Sequence, residues 1–199
     1  MSGLNRAHNF AKRRAGCMKL TTGSPCKLSG LIAQGCECKS KFNLDSVLKA
    51  MPVSKGSFYW HFKNRAEFLA ALVAHWELND TQSVVKALGE LPQSAIAADK
   101  LWELMCNVYE MNYGRYDLLI RSLTLEFPEL EKAVAAADQL RFNHVRQLFT
   151  EMGFEGDALD MRTLAFLSTT SMDQMLLVDI PSESYERLLK LRHEFFIRP

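Results

Sequence analysis

The chain has 199 residues, 48% of them hydrophobic, enough apolar material for one good core or for a small head and a larger body. Its formal net charge of +1 conceals a division: residues 1–65 hold 12 Lys+Arg against 2 Asp+Glu, a net of +10, and residues 66–199 hold 12 against 21, a net of −9. Five cysteines, an odd count, argue against a disulfide framework, and no stretch approaches the roughly 20 apolar residues that cross a bilayer, so the expectation is a reduced, soluble, cytoplasmic protein with no membrane partner.

Residues 1–23 are polar and basic without apolar periodicity and read as a flexible arm. A first helix is expected over 24–35. Ser24 can cap it, Pro25 fits the first helical position, Leu28, Leu31 and Ile32 form one face, and Gly35 can end it. Asn43 is a cap for a second short helix that buries Leu44, Val47 and Leu48 and stops at Pro52. Ser54 then caps a third, with Phe58 and Phe62 four apart on its inner face. From Arg65 the pattern changes to long helices: one through Phe68, Leu69, Leu72, Val73 and Trp76 to about Leu88, then 95–113, 117–126, a helix opened by Pro128 and closed by Gly153, 158–178 and 182–196. No alternating β-branched run or hairpin dipeptide occurs, so the fold class is all-α.

Two short helices joined by a tight turn, the second opening on a capped serine, describe a helix-turn-helix. With Phe58 and Phe62 turned inward, Lys55, Ser57, Tyr59, Trp60 and His61 are left on the outer faces. Lys55 can reach guanine acceptors, Tyr59 and His61 can donate to phosphates, and Trp60 can donate through its indole or pack on a sugar or thymine methyl. Gly56 permits close approach to a groove, and Lys63 and Arg65 stand at the start of the next helix, where an anion can be held.

The run Val53-Ser54-Lys55-Gly56-Ser57-Phe58-Tyr59-Trp60-His61-Phe62-Lys63-Asn64-Arg65 resembles the signature of TetR/AcrR-type transcriptional regulators, V-S-x-G-x-x-Y-x-H-F-x-x-K/R. The resemblance implies that Ser54, Lys55, Gly56, Tyr59, Trp60, His61 and Arg65 touch DNA. It implies an N-terminal three-helix head over 24–64 and a C-terminal helical bundle over 65–199 for ligand binding and dimerisation. The implied partners are a double-stranded DNA operator, a small-molecule effector and a second copy of the chain, in a repressor released by its effector. Pro52 stands where the family usually has glycine, the first helix is short, and the stretch 35–44 is longer than usual, so the turn must differ locally.

The body's aromatic and methionine side chains read mostly as core; the resemblance implies a ligand cavity among the middle helices, with Trp76, Trp102, Met105, Tyr109, Arg121, Phe142 and Met172 as its candidate residues. Glu126, Arg141 and His144 are further sources of polar contacts, each otherwise an ordinary surface residue, and Asp173 stands out in an apolar helix. The last two helices carry more apolar surface than one packing face needs. Leu164, Leu167, Met175, Leu188, Leu191 and Phe195 are the candidates for a symmetric four-helix dimer interface. Cys17, Cys26, Cys36 and Cys38 lack the short gaps of a structural zinc site and read as free thiols. The five histidines are scattered, and neither a nucleophile elbow nor a phosphate-cradling glycine loop is present, so no catalytic set, metal or cofactor is expected.

Overall fold

The structure, a computed structural model, describes residues 43–50, 54–92, 95–111, 113–172 and 180–198. The expected arm, the helix over 24–35, Pro52, Asp173, Met175 and cysteines 17, 26, 36 and 38 lie outside the described residues, as does the side chain of Met172. The described residues are helical, with no strand among them. In chain order they form α1 (Leu44–Ala50), α2 (Lys55–His61), α3 (Arg65–Glu77), a π-helical turn (Leu78–Gln82), α4 (Ser83–Gly89), α5 (Ala97–Met111), α6 (Tyr113–Glu126), a 3₁₀ turn (Pro128–Leu130), α7 (Glu131–Glu151), α8 (Gly156–Met172) and α9 (Ser182–Ile197). Two compact units result, Met1–Phe68 and Leu69–Pro199. The division falls inside α3 rather than at its first residue.

In the first unit the caps expected at Asn43 and Ser54 are formed. Asn43 Oδ1 accepts the Asp45 N–H at 2.9 Å, Ser54 Oγ accepts the Ser57 N–H at 3.1 Å, and Val47, Leu48 and Phe58 are buried. Phe62 ends α2 in an extended conformation, its N–H still bonded to the Phe58 carbonyl.

In the second unit α7, the longest helix described, packs against α5, α6 and α8, and α9 packs on α5. Its C-terminus is locked by Gly153 in the left-handed region at φ +91°. The Phe154 N–H reaches back to the Phe149 carbonyl and the Gly153 N–H to that of Thr150, while the two phenylalanine rings meet edge to face. Phe149 is fully enclosed and also touches Phe166 and Phe196, which places it at the junction of α7, α8 and α9.

The helix expected over 117–126 begins earlier, at Tyr113, and Pro128 opens a 3₁₀ turn ahead of the long helix; the larger departure lies upstream. The helix read as continuous from Arg65 to Leu88 contains a π turn, closed by the Ser83 N–H on the Leu78 carbonyl. Short polar side chains stabilise it: Asn79 Nδ2 donates to the His75 carbonyl at 2.7 Å and Ser83 Oγ to that of Leu78 at 2.8 Å. The inner stripe therefore runs Leu69, Leu72, Val73, Trp76, then skips to Thr81, Val84 and Leu88. An unbroken α-helix would have turned Asp80 to the inner face that Thr81 occupies.

Replacing Phe149 by alanine removes the ring at the junction of three helices. The expected loss is about 3–5 kcal/mol of unfolding free energy, read from urea denaturation of the full chain; a loss below ~1 kcal/mol contradicts this packing.

Candidate functional site

Each unit carries one candidate site. In the first, α2 divides into two faces. Phe58, 4% exposed, lies 5.3 Å from the rings of both Phe62 and Phe68, and Phe62 and Phe68 meet at 5.2 Å. This three-ring cluster fixes the roll of the helix. The opposite side presents Lys55, Gly56, Ser57, Tyr59 (56% exposed), Trp60 (82%) and His61 to solvent, with the Trp60 and His61 rings edge to face at 4.7 Å. A Cβ built on Gly56 would meet only Ser54 Oγ, at 3.8 Å, so no contact among the described residues requires glycine there.

Two partnerships in this unit are not visible in the motif. Lys55 Nζ pairs with Asp45 on α1 at 2.7 Å, and the hydrogen bond and charge of Asp45 raise the lysine pKa. At the start of α3, Asn64 Oδ1 accepts the Glu67 N–H at 2.9 Å, while Glu67 Oε2 accepts the Lys63 N–H at 2.7 Å. This reciprocal cap commits two backbone donors and brings a carboxylate to the place where an anion was expected. An anion held near Lys63 and Arg65 would depend on their side chains; Lys63 is exposed and Arg65 half-buried.

The second site is a cavity of about 60 Å³ inside the second unit, walled by the π turn, α4, α5, α6, α7 and α8. Most of its wall is apolar, from residues such as Val84, Leu88, Leu104, Val108 and Phe166. A polar group sits in the same wall. Asp117, 2% exposed, accepts from Trp76 Nε1 at 3.0 Å and from Arg141 Nη1 at 2.6 Å, with Arg121 3.6 Å away. Arg141 Nε donates to Thr81 Oγ1 at 2.8 Å, and its guanidinium lies 4.8 Å from the centre of the Trp76 ring. Asp80 also lines the cavity, and no hydrogen bond or ion pair engages it among the described residues. Burial, and secondarily the charge of Asp117, push its carboxyl up to about 7, against the opposing pull of Arg141. His144 lines the cavity too. Burial and then Lys100 lower its pKa, against the pull of Glu151, and its Nε2 is enclosed without a hydrogen-bond partner among the described residues.

The pocket candidates named from sequence fall elsewhere. Trp76 touches the polar group from behind through Asp117, and Arg121 is held by Asp138 in a two-pronged bond at 2.6 and 2.7 Å. Met105 is core, Trp102 packs on His193, Tyr109 stacks on Tyr185 at 4.2 Å, and Phe142 is half-buried; none of these lines the cavity. The further polar candidates Arg141 and His144 do line it. Asp80, Thr81 and Asp117 were missed, although the polar triplet Asn79-Asp80-Thr81 interrupting an apolar helix was a legible signal. Cys106 is half-buried, its thiol pushed up to about 12 by burial and by Glu103 and Glu110, which disfavours the reactive thiolate.

Of the interface candidates, Leu188, Leu191 and Phe195 form one exposed stripe on α9, and Leu164 with Met161 forms another on α8. Arg162 ties the two helices together, donating to the Phe196 carbonyl at 2.7 Å over the face of Phe154. Leu167 instead lines the cavity.

Among the described residues no group of side chains could hold a metal ion, and no helix is long and apolar enough to cross a membrane. Comparison with protein-family models, curated proteins and solved structures gave no match.

Because the folded Asp80 carboxyl titrates near 7 rather than near 3.8, the folded state holds a proton that the unfolded chain releases. The penalty for a buried charge is absent below about pH 4, grows as pH rises, and is complete above about pH 7. Asp80→Asn is therefore expected to stabilise the protein by up to about 4 kcal/mol at pH 8 and by little near pH 4. Urea denaturation at the two pH values checks this; an equal effect at both would show that burial of charge is not the cause.

Proposed function

We propose that this chain is a TetR-type DNA-binding transcriptional regulator, a dimeric repressor released from its operator by a small effector. The observation that carries the proposal is the two-faced α2. A helix capped by Ser54 and fixed by Phe58 and Phe62 leaves Lys55, Tyr59, Trp60 and His61 facing water, within a segment of net charge +10. Tyr59 and Trp60, 56% and 82% exposed side by side, put a contiguous aromatic patch on this face, and such patches mark contact surfaces. In this reading α1 and α2 are the two helices of a helix-turn-helix, α2 is the recognition helix, and Gly56 is small so that the helix start can approach DNA.

The second unit supplies the other two parts. Its cavity is the effector site, and the stripes Leu188, Leu191 and Phe195 on α9 and Met161 and Leu164 on α8 form the face buried in a symmetric dimer. Two copies of α2 would then sit about 34–36 Å apart, one turn of duplex. An effector that binds more tightly to a state with a different spacing weakens operator binding by that difference in affinity. A second reading, a helical ligand- or protein-binding module whose head no longer engages an operator, is favoured by Pro52 in place of glycine and by the hold of Asp45 on Lys55.

Binding to duplex DNA from the gene's own upstream region, measured as salt is varied, separates the two. The repressor reading expects affinity to fall steeply with salt, and Lys55→Ala and Tyr59→Ala each to weaken binding by roughly tenfold or more. Absent or salt-insensitive binding favours the second reading. For the interface, sedimentation of Leu191→Glu/Phe195→Glu is expected to give monomers where the parent gives dimers. A variant that stays dimeric places the interface elsewhere.

A further inference from the structure

We propose that the cavity binds a small monocationic amine with an apolar body, its ammonium held by the Asp80 carboxylate. This rests on the effector reading of the cavity and names the chemistry of its ligand.

The inference comes from counting which charges are already satisfied. Asp117 is engaged by Trp76 and Arg141, with Arg121 close by. Arg141 is engaged by Asp117 and Thr81, and Arg121 by Asp138. These groups form a closed set in which each positive charge already faces a carboxylate. Asp80 stands outside it, on the same wall, with no partner among the described residues.

An anionic ligand would meet Asp80 and Asp117, and the one arginine or lysine among the described residues lining the cavity, Arg141, is already engaged by Asp117. A neutral ligand would displace water from Asp80 and leave its charge uncompensated, which is costly in an apolar enclosure. A cation removes that cost. An ammonium presents three donors and no acceptor, so it needs oxygen or nitrogen lone pairs around it. Asp80 supplies two oxygens. His144, its pKa lowered by burial, lines the same cavity with an enclosed Nε2 that has no partner among the described residues, a further acceptor in the tautomer protonated at Nδ1. The remaining wall, with Val84, Leu88, Leu104, Val108 and Phe166, takes an alkyl or small aryl body. On the scale of ~10–15 Å³ per enclosed water, 60 Å³ corresponds to a ligand of a few heavy atoms.

The electrostatics make binding depend on pH. The charged groups acting on the Asp80 carboxyl are Asp117 on α6 and Arg141 on α7, with Arg121 behind Asp117; His144 lines the same cavity, with Lys100 and Glu151 acting on it. Ionisation of Asp80 near 7 means that the receiving carboxylate is mostly formed at pH 8 and mostly protonated at pH 6. An alkylamine stays protonated throughout that range, so its affinity is expected to fall about tenfold between the two.

The test is ligand-observed NMR titration of the full chain with isobutylamine, and with isobutanol and isobutyrate as neutral and anionic matches. The expected result at pH 8 is amine binding at least tenfold tighter than the alcohol, with no binding of the carboxylate. At pH 6 the amine should lose about tenfold while the alcohol does not weaken. Asp80→Asn should abolish the preference for amine and keep the alcohol. Equal binding of amine and alcohol, tighter binding of isobutyrate, or no amine binding at pH 8 overturns the proposal. Should the variant fail to fold, the pH profile of the parent protein still decides. Operator affinity measured in parallel keeps the two readings apart: amine binding that leaves DNA affinity unchanged supports this inference and overturns the effector role.

Discussion

The second unit is organised around a carboxylate that water does not reach. Asp117 is the charged side chain most fully enclosed among the described residues, and an isolated carboxylate in such a place would be prohibitively costly. Its surroundings follow from that requirement. The indole N–H of Trp76 reaches it from α3, the guanidinium of Arg141 from α7, and Arg121 stands one turn along its own helix. Arg141 must in turn be held flat, and does so by bonding Thr81 with Nε and lying over the Trp76 ring. Such a network adds little net stability over a well-packed apolar core, but removing one member strands the others, so it specifies one arrangement of α3, α6 and α7.

The π turn belongs to the same requirement. For Arg141 to find a hydroxyl, Thr81 must lie on the inner face five residues after Trp76, and only an added residue in the turn brings it there. The widened turn carries Asp80 onto the cavity wall beside Thr81, where no described residue of the network donates to it. The satisfied ion pair and the unsatisfied carboxyl are thus two results of one local distortion, and the contrast between them gives an otherwise apolar cavity a chemical preference.

What could be read from the sequence follows how local each determinant is. Asn43 and Ser54 act within a few residues of themselves, so their caps were legible. The spacing of Phe58 and Phe62, and of Leu188, Leu191 and Phe195, states which face each occupies whatever the rest of the chain does. The polar wall of the cavity is different. Thr81 and Arg141 are 60 residues apart, and Trp76 and Asp117 are 41 apart, so their pairing depends on the packing of helices that sequence spacing does not define. Large aromatic and sulfur side chains were natural candidates for a pocket, yet Met105 fills core and Trp102 and Tyr109 pair with other rings, because rings bury more area against one another than around an open space. The polar triplet at residues 79–81 was visible, but reading it as a π turn required knowing that Asn79 and Ser83 would bond carbonyls an α-helix normally occupies.

In the first unit the balance between charge and shape differs from what the net charge of residues 1–65 suggests. The motif's lysine does not project freely, because Asp45, one of only two acidic residues in that segment, already holds Lys55 at 2.7 Å. The start of α3 is occupied by the carboxylate of Glu67. Both bonds are exposed and therefore weak, so a polyanion could displace either at small cost. Their presence nevertheless means that charge alone does not single out this surface. What remains uncommitted is aromatic: Tyr59 and Trp60 stand in water because the three-ring cluster of Phe58, Phe62 and Phe68 turns them outward. If α2 enters a groove, the discrimination it offers then comes from the shape and donors of those two rings, with Lys55 and its neighbours contributing the salt-dependent part of the affinity.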